Sequence, residues 1–325
     1  MKLAENSEIL IIKFKSLGDI LLSTVLADEI VRQRPDVKVD FLVDWKFEGI
    51  TKCFPSIRKE LIRPDSWGER FETAFEFRSS YDLVIDLLGS TASSLTAKVM
   101  SRSGVIGYPA KRASRMYDEQ LDPPEPGAHT VDINLQFLKL LELEIPKKIE
   151  FHPTFDQQII DAYSEQLGPK SAIVHPGGRF CHKLWSGVRF GEIADWLISE
   201  GYSVHILQGP EDEIPTELKD FRVLRNIGAG ELLSVFKGFD LFVGNDSGPM
   251  HFAATAGCSV VGIFGPTDPH RWRPYSDRAT CILSDCSCGH GATHCSNRNQ
   301  NWCMDQIQVQ DVKTEILKIQ PKLAK

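Results

Sequence analysis

The densest group of reactive side chains in the sequence is Asn245-Asp246-Ser247-Gly248-Pro249-Met250-His251. It follows a short apolar run, Asp240 to Val243, and opens a segment with helical character. At such a strand-to-helix junction, small residues let backbone amides approach phosphate oxygens, and the helix N-terminus favours negative charge. Ser247 and Gly248 are therefore expected to face a diphosphate, with Asp246 on sugar hydroxyls and His251 one turn into the helix. A lone histidine is more often a core residue, but the company His251 keeps favours binding.

Three more junctions carry chemistry. In His175-Pro176-Gly177-Gly178, followed by Lys183 and Trp185, Gly177 and Gly178 offer amides and Lys183 a point charge. The spacing fits neither a P-loop nor a dinucleotide fingerprint, and an ordinary turn with a surface lysine is the competing reading. In Gln208-Gly209-Pro210-Glu211, Glu211 is placed to bind ribose hydroxyls. A solvated acidic loop is the alternative, and Glu211-Asp212-Glu213 would also suit a divalent ion. In Lys15-Ser16-Leu17-Gly18-Asp19, Gly18 admits a close backbone approach. Asp19 there would either complement the helix dipole or take a proton from an attacking hydroxyl.

These junctions need strands to end on and helices to begin. Ile9–Phe14, Val37–Val43, Tyr81–Leu87 and Gly104–Tyr108 read as buried strands, with a helix over Ile20–Arg34. The pattern restarts with strands at Ser171–His175, Tyr202–Leu207, Asp240–Val243 and Ser259–Phe264. Helices are expected at Arg189–Glu200, Gly230–Lys237 and Gln310–Ile319. Strands alternating with helices imply doubly wound parallel sheets. The expected domains are residues 1–155 and 165–325, joined by a linker near 150–168, with a central cleft between their strand ends.

Together the junctions, with Phe264-Gly265-Pro266-Thr267 after them, resemble the heptosyltransferase family, glycosyltransferase family 9, from residue 9 to Val312. The resemblance implies the GT-B fold, two Rossmann-like domains, and metal-independent inverting transfer of heptose from ADP-heptose to Kdo or heptose of the lipopolysaccharide inner core. It implies Asp19 as the general base and Lys183 as the cation on the leaving diphosphate. Gly18, Gly177, Gly178, Glu211, Asp246, Ser247, Gly248 and His251 would line the donor site.

The 325 residues carry 42% hydrophobic and 25% charged residues and a formal net charge of −7, which argues against a general polyanion or nucleic-acid binder. Yet no acid falls between Asp86 and Asp118, where Lys98, Arg102, Lys111, Arg112 and Arg115 lie. This stretch is either a solvated basic face or the site of an anionic glycolipid acceptor. Glu5 and Glu8 argue against a secretory leader and no run suits a bilayer span, so cytoplasmic action is expected, with peripheral inner-membrane contact left open. Cys286, Cys288, Cys295 and Cys303 are expected as reduced thiols, a structural zinc being the minority reading. Two alternatives stand beside the main reading: a transferase for another nucleotide sugar, and a non-catalytic sugar-nucleotide or glycolipid binder.

Overall fold

The computed structural model describes residues 2–108, 114–285 and 302–319. The chain divides into two compact units, Met1–Thr154 and Phe155–Lys325. Among the described residues, each unit is built on one six-stranded parallel sheet.

In the first unit the strands are β1 (Glu8–Ile12), β2 (Lys38–Asp44), β3 (Ile57–Arg63), β4 (Tyr81–Asp86), β5 (Ser101–Gly107) and β6 (Glu119–Gln120). Their order across the sheet is β3-β2-β1-β4-β5-β6. β1 lies at the centre between β2 and β4, and its residues Ile9, Leu10, Ile11 and Ile12 are fully buried. Helices cover both faces of such a sheet, which is why its central strands read as unbroken apolar runs. β3, Ile-Arg-Lys-Glu-Leu-Ile-Arg, is an edge strand that pairs only with β2. An edge strand leaves much of itself in water and tolerates charge, so its apolar pattern is too weak to read.

In the second unit the strands are β7 (Ser171–His175), β8 (Ser203–Leu207), β9 (Arg222–Leu224), β10 (Leu241–Asn245), β11 (Ser259–Phe264) and β12 (Ala279–Leu283). Their order is β12-β11-β10-β7-β8-β9. Read from the opposite edge, it repeats the first sheet's order. In each unit the chain winds from the first strand toward one edge and then resumes on the other side. The switch falls between β1 and β4 in one sheet and between β7 and β10 in the other, the place where doubly wound sheets bind ligands.

Most expected helices form close to their anticipated bounds. Leu17–Gln33 packs against β2 and the helix Thr130–Leu135, with Ile20, Leu21, Leu22, Val25, Leu26 and Ile30 buried. Gly187–Ser199 follows β7, and Gly248–Ala256 follows β10. The last ends on Gly257 at φ 97°, a left-handed conformation that glycine adopts without a Cβ penalty. The stretch read as a linker instead holds the helix Gln157–Ser164, whose cap Asp156 accepts hydrogen bonds from the amides of Gln158 and Ile159. Its few apolar residues suffice because only one side meets the unit, so its pattern looks like a connector.

Candidate active site

The switch point of the second sheet gathers three of the junctions. His175, the last residue of β7, is buried, with Nδ1 3.1 Å from Ser247 Oγ and Nε2 3.1 Å from Asp212 Oδ2. Ser247 is the N-cap of Gly248–Ala256, so the histidine links the end of one strand to the helix that follows another. Asn245, fully buried at the end of β10, completes the frame. Its Oδ1 accepts the Trp185 amide at 3.0 Å, and its Nδ2 donates to the carbonyls of Pro176 at 2.7 Å and Gly177 at 3.3 Å. One side-chain amide thereby satisfies three backbone groups that the β7 turn would otherwise leave unpaired inside the protein.

Lys183 stands on the short turn Cys181–Lys183, and its Nζ donates to Asp246 Oδ2 at 2.9 Å. Asp246 is 8% exposed and Lys183 24%, so the pair is half-sheltered and its cation still reaches solvent. Trp185 next to it donates Nε1–H to the Ile307 carbonyl at 2.9 Å, and Arg189 donates to the carbonyls of Asp305 and Ile307 at 2.7 Å. The lysine-bearing loop is thus anchored to the segment before the terminal helix. Backbone amides, one cation and one carboxylate at a strand-end junction suit an anion that carries hydroxyls.

Asp212 was expected only as part of an acidic triplet, with Glu211 as the ribose acid. The structure leaves Glu211 exposed and turns Asp212 inward. Its Oδ1 accepts the Gly178 amide at 3.0 Å and its Oδ2 the Gly209 amide at 2.9 Å, besides the contact with His175. Burial alone would raise this carboxyl. The hydrogen bond and charge of His175, with the two amides, outweigh burial and hold it below the ordinary carboxylate range.

The first sheet's switch point is built differently. Asp19 Oδ2 accepts the Ser16 hydroxyl at 2.6 Å and the Ser16 amide at 3.3 Å, so the aspartate does stabilise the start of its helix. Its Oδ1 lies 3.4 Å from Nζ of Lys13, whose ammonium also donates to the Leu87 carbonyl at 3.2 Å. Lys13, 8% exposed, therefore ties the end of β1 to the loop after β4 and neutralises Asp19 from behind. Sequence reading passed over Lys13, although a lysine directly after four buried aliphatic residues was the available signal. Gly18 is buried in the same turn. Asp86, the last residue of β4 and the register partner of Ile12, is fully buried. Burial raises its carboxyl above the ordinary range, against the hydrogen bonds from Tyr117 and the Leu88 amide.

Residues 74–302, well over half the chain, match the model of glycosyltransferase family 9 (heptosyltransferase). The chain belongs to this family. It is 25% identical over 297 residues to lipopolysaccharide heptosyltransferase 1 of Campylobacter coli, covering 81% of this chain and 85% of that protein. Among solved structures it resembles a family 9 glycosyltransferase of Veillonella parvula, with a TM-score of 0.83, 17% identity and 97% of both chains covered. It also resembles E. coli ADP-heptose LPS heptosyltransferase II, with a TM-score of 0.80, 19% identity, and 96% of this chain and 98% of that one covered. The fold of this family 9 glycosyltransferase is thereby GT-B.

Of the basic residues expected to meet an acceptor, Lys98 sits 3.5 Å from Asp118. Arg102 lies at the amino end of β5, away from the ligand-binding edge, 2.7 Å from Asp82 and bonded to the carbonyls of Ser79 and Ser80. Its guanidinium helps to close that end of the sheet. Arg115 is exposed, and Lys111 and Arg112 lie outside the described residues. Cys286, Cys288 and Cys295 also lie outside them, while Cys303 is buried and Met304 beside it packs against Gly265. Among the described residues no cluster of three or more histidine, cysteine or acidic side chains could hold a metal ion. His251 is buried in the first turns of Gly248–Ala256 rather than set on the surface.

Proposed function

We propose that this family 9 enzyme transfers heptose, with inversion, from ADP-heptose to Kdo or heptose of the lipopolysaccharide inner core. The observation that carries this is the second sheet's switch point, where the Ser247 helix start, the Gly177-Gly178 turn and the Lys183–Asp246 pair converge. The amides of a helix start and one cation suit a nucleotide diphosphate, and a relative of the same fold is an ADP-heptose LPS heptosyltransferase.

In the proposed reaction an acceptor hydroxyl attacks the anomeric carbon, its proton passes to Asp19, and the bond to phosphate breaks with its electron pair leaving on ADP. Lys183 and the amides of Ser247 and Gly248 stabilise the charge growing on the diphosphate. Asp246 orients the sugar and the lysine, and Glu211 binds the ribose. Lys13 keeps Asp19 turned to its helix end, which fixes where the carboxylate can receive a proton. Lys98, Arg102, Lys111, Arg112 and Arg115 are proposed to attract the anionic glycolipid. The reaction is proposed to need no metal and to run in the cytoplasm, with peripheral contact at the inner membrane. No helix among the described residues is long and apolar enough to cross a membrane.

A transfer assay with ADP-heptose and a series of truncated-core acceptors, with and without a strong chelator, tests the whole reading. Product formed equally in both arms is expected. Turnover only with UDP-sugars, or donor binding without turnover on any acceptor, would overturn it, and loss restored by Mg²⁺ would overturn the metal-free mechanism.

A further inference from the structure

One carboxylate reaches all three central loops at the ligand-binding edge of the second sheet. Asp212 binds the Gly178 amide after β7 and the Gly209 amide after β8, at 3.0 and 2.9 Å. Through His175 it is linked to Ser247 after β10, in two steps of 3.1 Å. Its own carbonyl accepts Gln208 Nε2 at 3.0 Å, which closes the β8 turn on itself. The surrounding glycines leave room for this side chain and little else. A Cβ on Gly209 would stand 2.6 Å from Asp212 Oδ2, and one on Gly177 would overlap the same carboxylate.

An ionised carboxylate can only accept, so the His175 nitrogen facing Asp212 must carry a proton. Nδ1, on the other side of the ring, is left to pair with the Ser247 hydroxyl. The carboxylate thus fixes the ring of one residue and, through it, the side chain of another.

We infer that Asp212 is the positioning residue of the donor site, holding the Gly177-Gly178 turn, the Gly209 turn and the Ser247 helix start in one arrangement through its carboxylate and His175. This rests on the donor reading proposed above. Asp212 need not touch the nucleotide. It acts by holding the two turns and the helix start in place before the nucleotide arrives, so that binding does not have to order three loops.

Asp212→Asn keeps the shape but offers one acceptor oxygen where three donors converge. Loss of one charge-assisted hydrogen bond is expected to raise both the donor KM and the Kd for ADP by about 10- to 100-fold, with the acceptor KM unchanged. Gly209→Ala pushes on the same carboxylate from outside and should raise the same two constants. In the double variant the two effects should not multiply, because both act through one group. A general loss of folded enzyme would lower kcat and leave both KM values alone, and that result would overturn the inference. So would an Asp212→Asn enzyme with wild-type donor KM and ADP affinity. Should Asp212→Asn not fold, Gly209→Ala decides alone, unchanged donor constants counting against the inference. If the wild type neither binds ADP nor uses ADP-heptose, the donor reading falls. Amide exchange at Gly178 and Gly209 then still reads the clamp: at least tenfold faster exchange in Asp212→Asn is expected, and unchanged exchange would show that no clamp exists.

Discussion

The two sheets share one strand order, yet their switch points are furnished for different tasks. At the first, a buried lysine leans on one carboxylate at a helix start. At the second, two glycine turns, a helix start and a cation surround a histidine held between an acid and a serine. The first suits a proton acceptor and the second an anion. Topology sets where a ligand can sit, and the few residues just past each strand set what kind of ligand it is.

The buried acids sharpen the contrast. Asp86 and Asp212 both lie at the ligand-binding edge of their sheets, and burial acts on both in the same direction. Asp212 gains an imidazole and two amides and is held low. Asp86 has a tyrosine hydroxyl and amides that do not offset its burial, and is held high. Tyr117, which donates to Asp86, lies flat over Gly107, where a Cβ would meet its ring at 2.5 Å.

The largest way to break the comparison is at Asp19. Asp19→Asn should lower kcat by about 10²–10⁴-fold, the usual worth of a positioned base, while calorimetry shows ADP affinity unchanged. Turnover close to wild type would strip the first switch point of its proposed role. Lys183→Ala comes next, lowering kcat/KM for the donor by roughly 10²–10³-fold, with donor KM and kcat both affected in steady-state assays. If only Asp19→Asn had an effect, the anion would have to bind elsewhere.

A smaller effect is expected on stability. Asn245→Ala removes partners from three buried backbone groups and should cost about 2–4 kcal/mol in urea unfolding, seen as a lower midpoint at constant slope. The smallest is a dependence on pH with opposite sign in the two units. Because the folded value of Asp212 lies below the ordinary 3.8, its stabilisation is full above that value and fades as pH falls through the folded one. Asp86 is raised, so it costs nothing in strong acid and its penalty grows as pH rises past 3.8. Asp86→Asn should therefore be more stable than the wild type at neutral pH, with the gap closing in acid. A gap that widens in acid would show that Asp86 is held ionised.

Much of this was legible in the residues. Unbroken apolar runs marked β1, β7, β10 and β11, since strands covered on both faces by helices have no polar side to show. The Asn245–His251 junction announced itself because side chains that compete with regular structure rarely crowd together without a binding role. β3 and the helix Gln157–Ser164 were not legible, because an edge strand and a helix with one covered side carry weak periodicity. Lys13 was visible as a charge next to an aliphatic run, but nothing local says that its partner is Asp19.

By itself the sequence determined the two doubly wound units, the junctions that carry chemistry and the family to which they belong, because periodicity and local turn composition act over a few residues. Only the tertiary structure decided that Asp212, not its exposed neighbour Glu211, is the acid at the centre of the second switch point, and that Arg102 closes the far edge of its sheet. Those outcomes depend on which groups from distant strands meet in a space too small for water, and the desolvation that makes such contacts decisive exists only once the chain has closed around them.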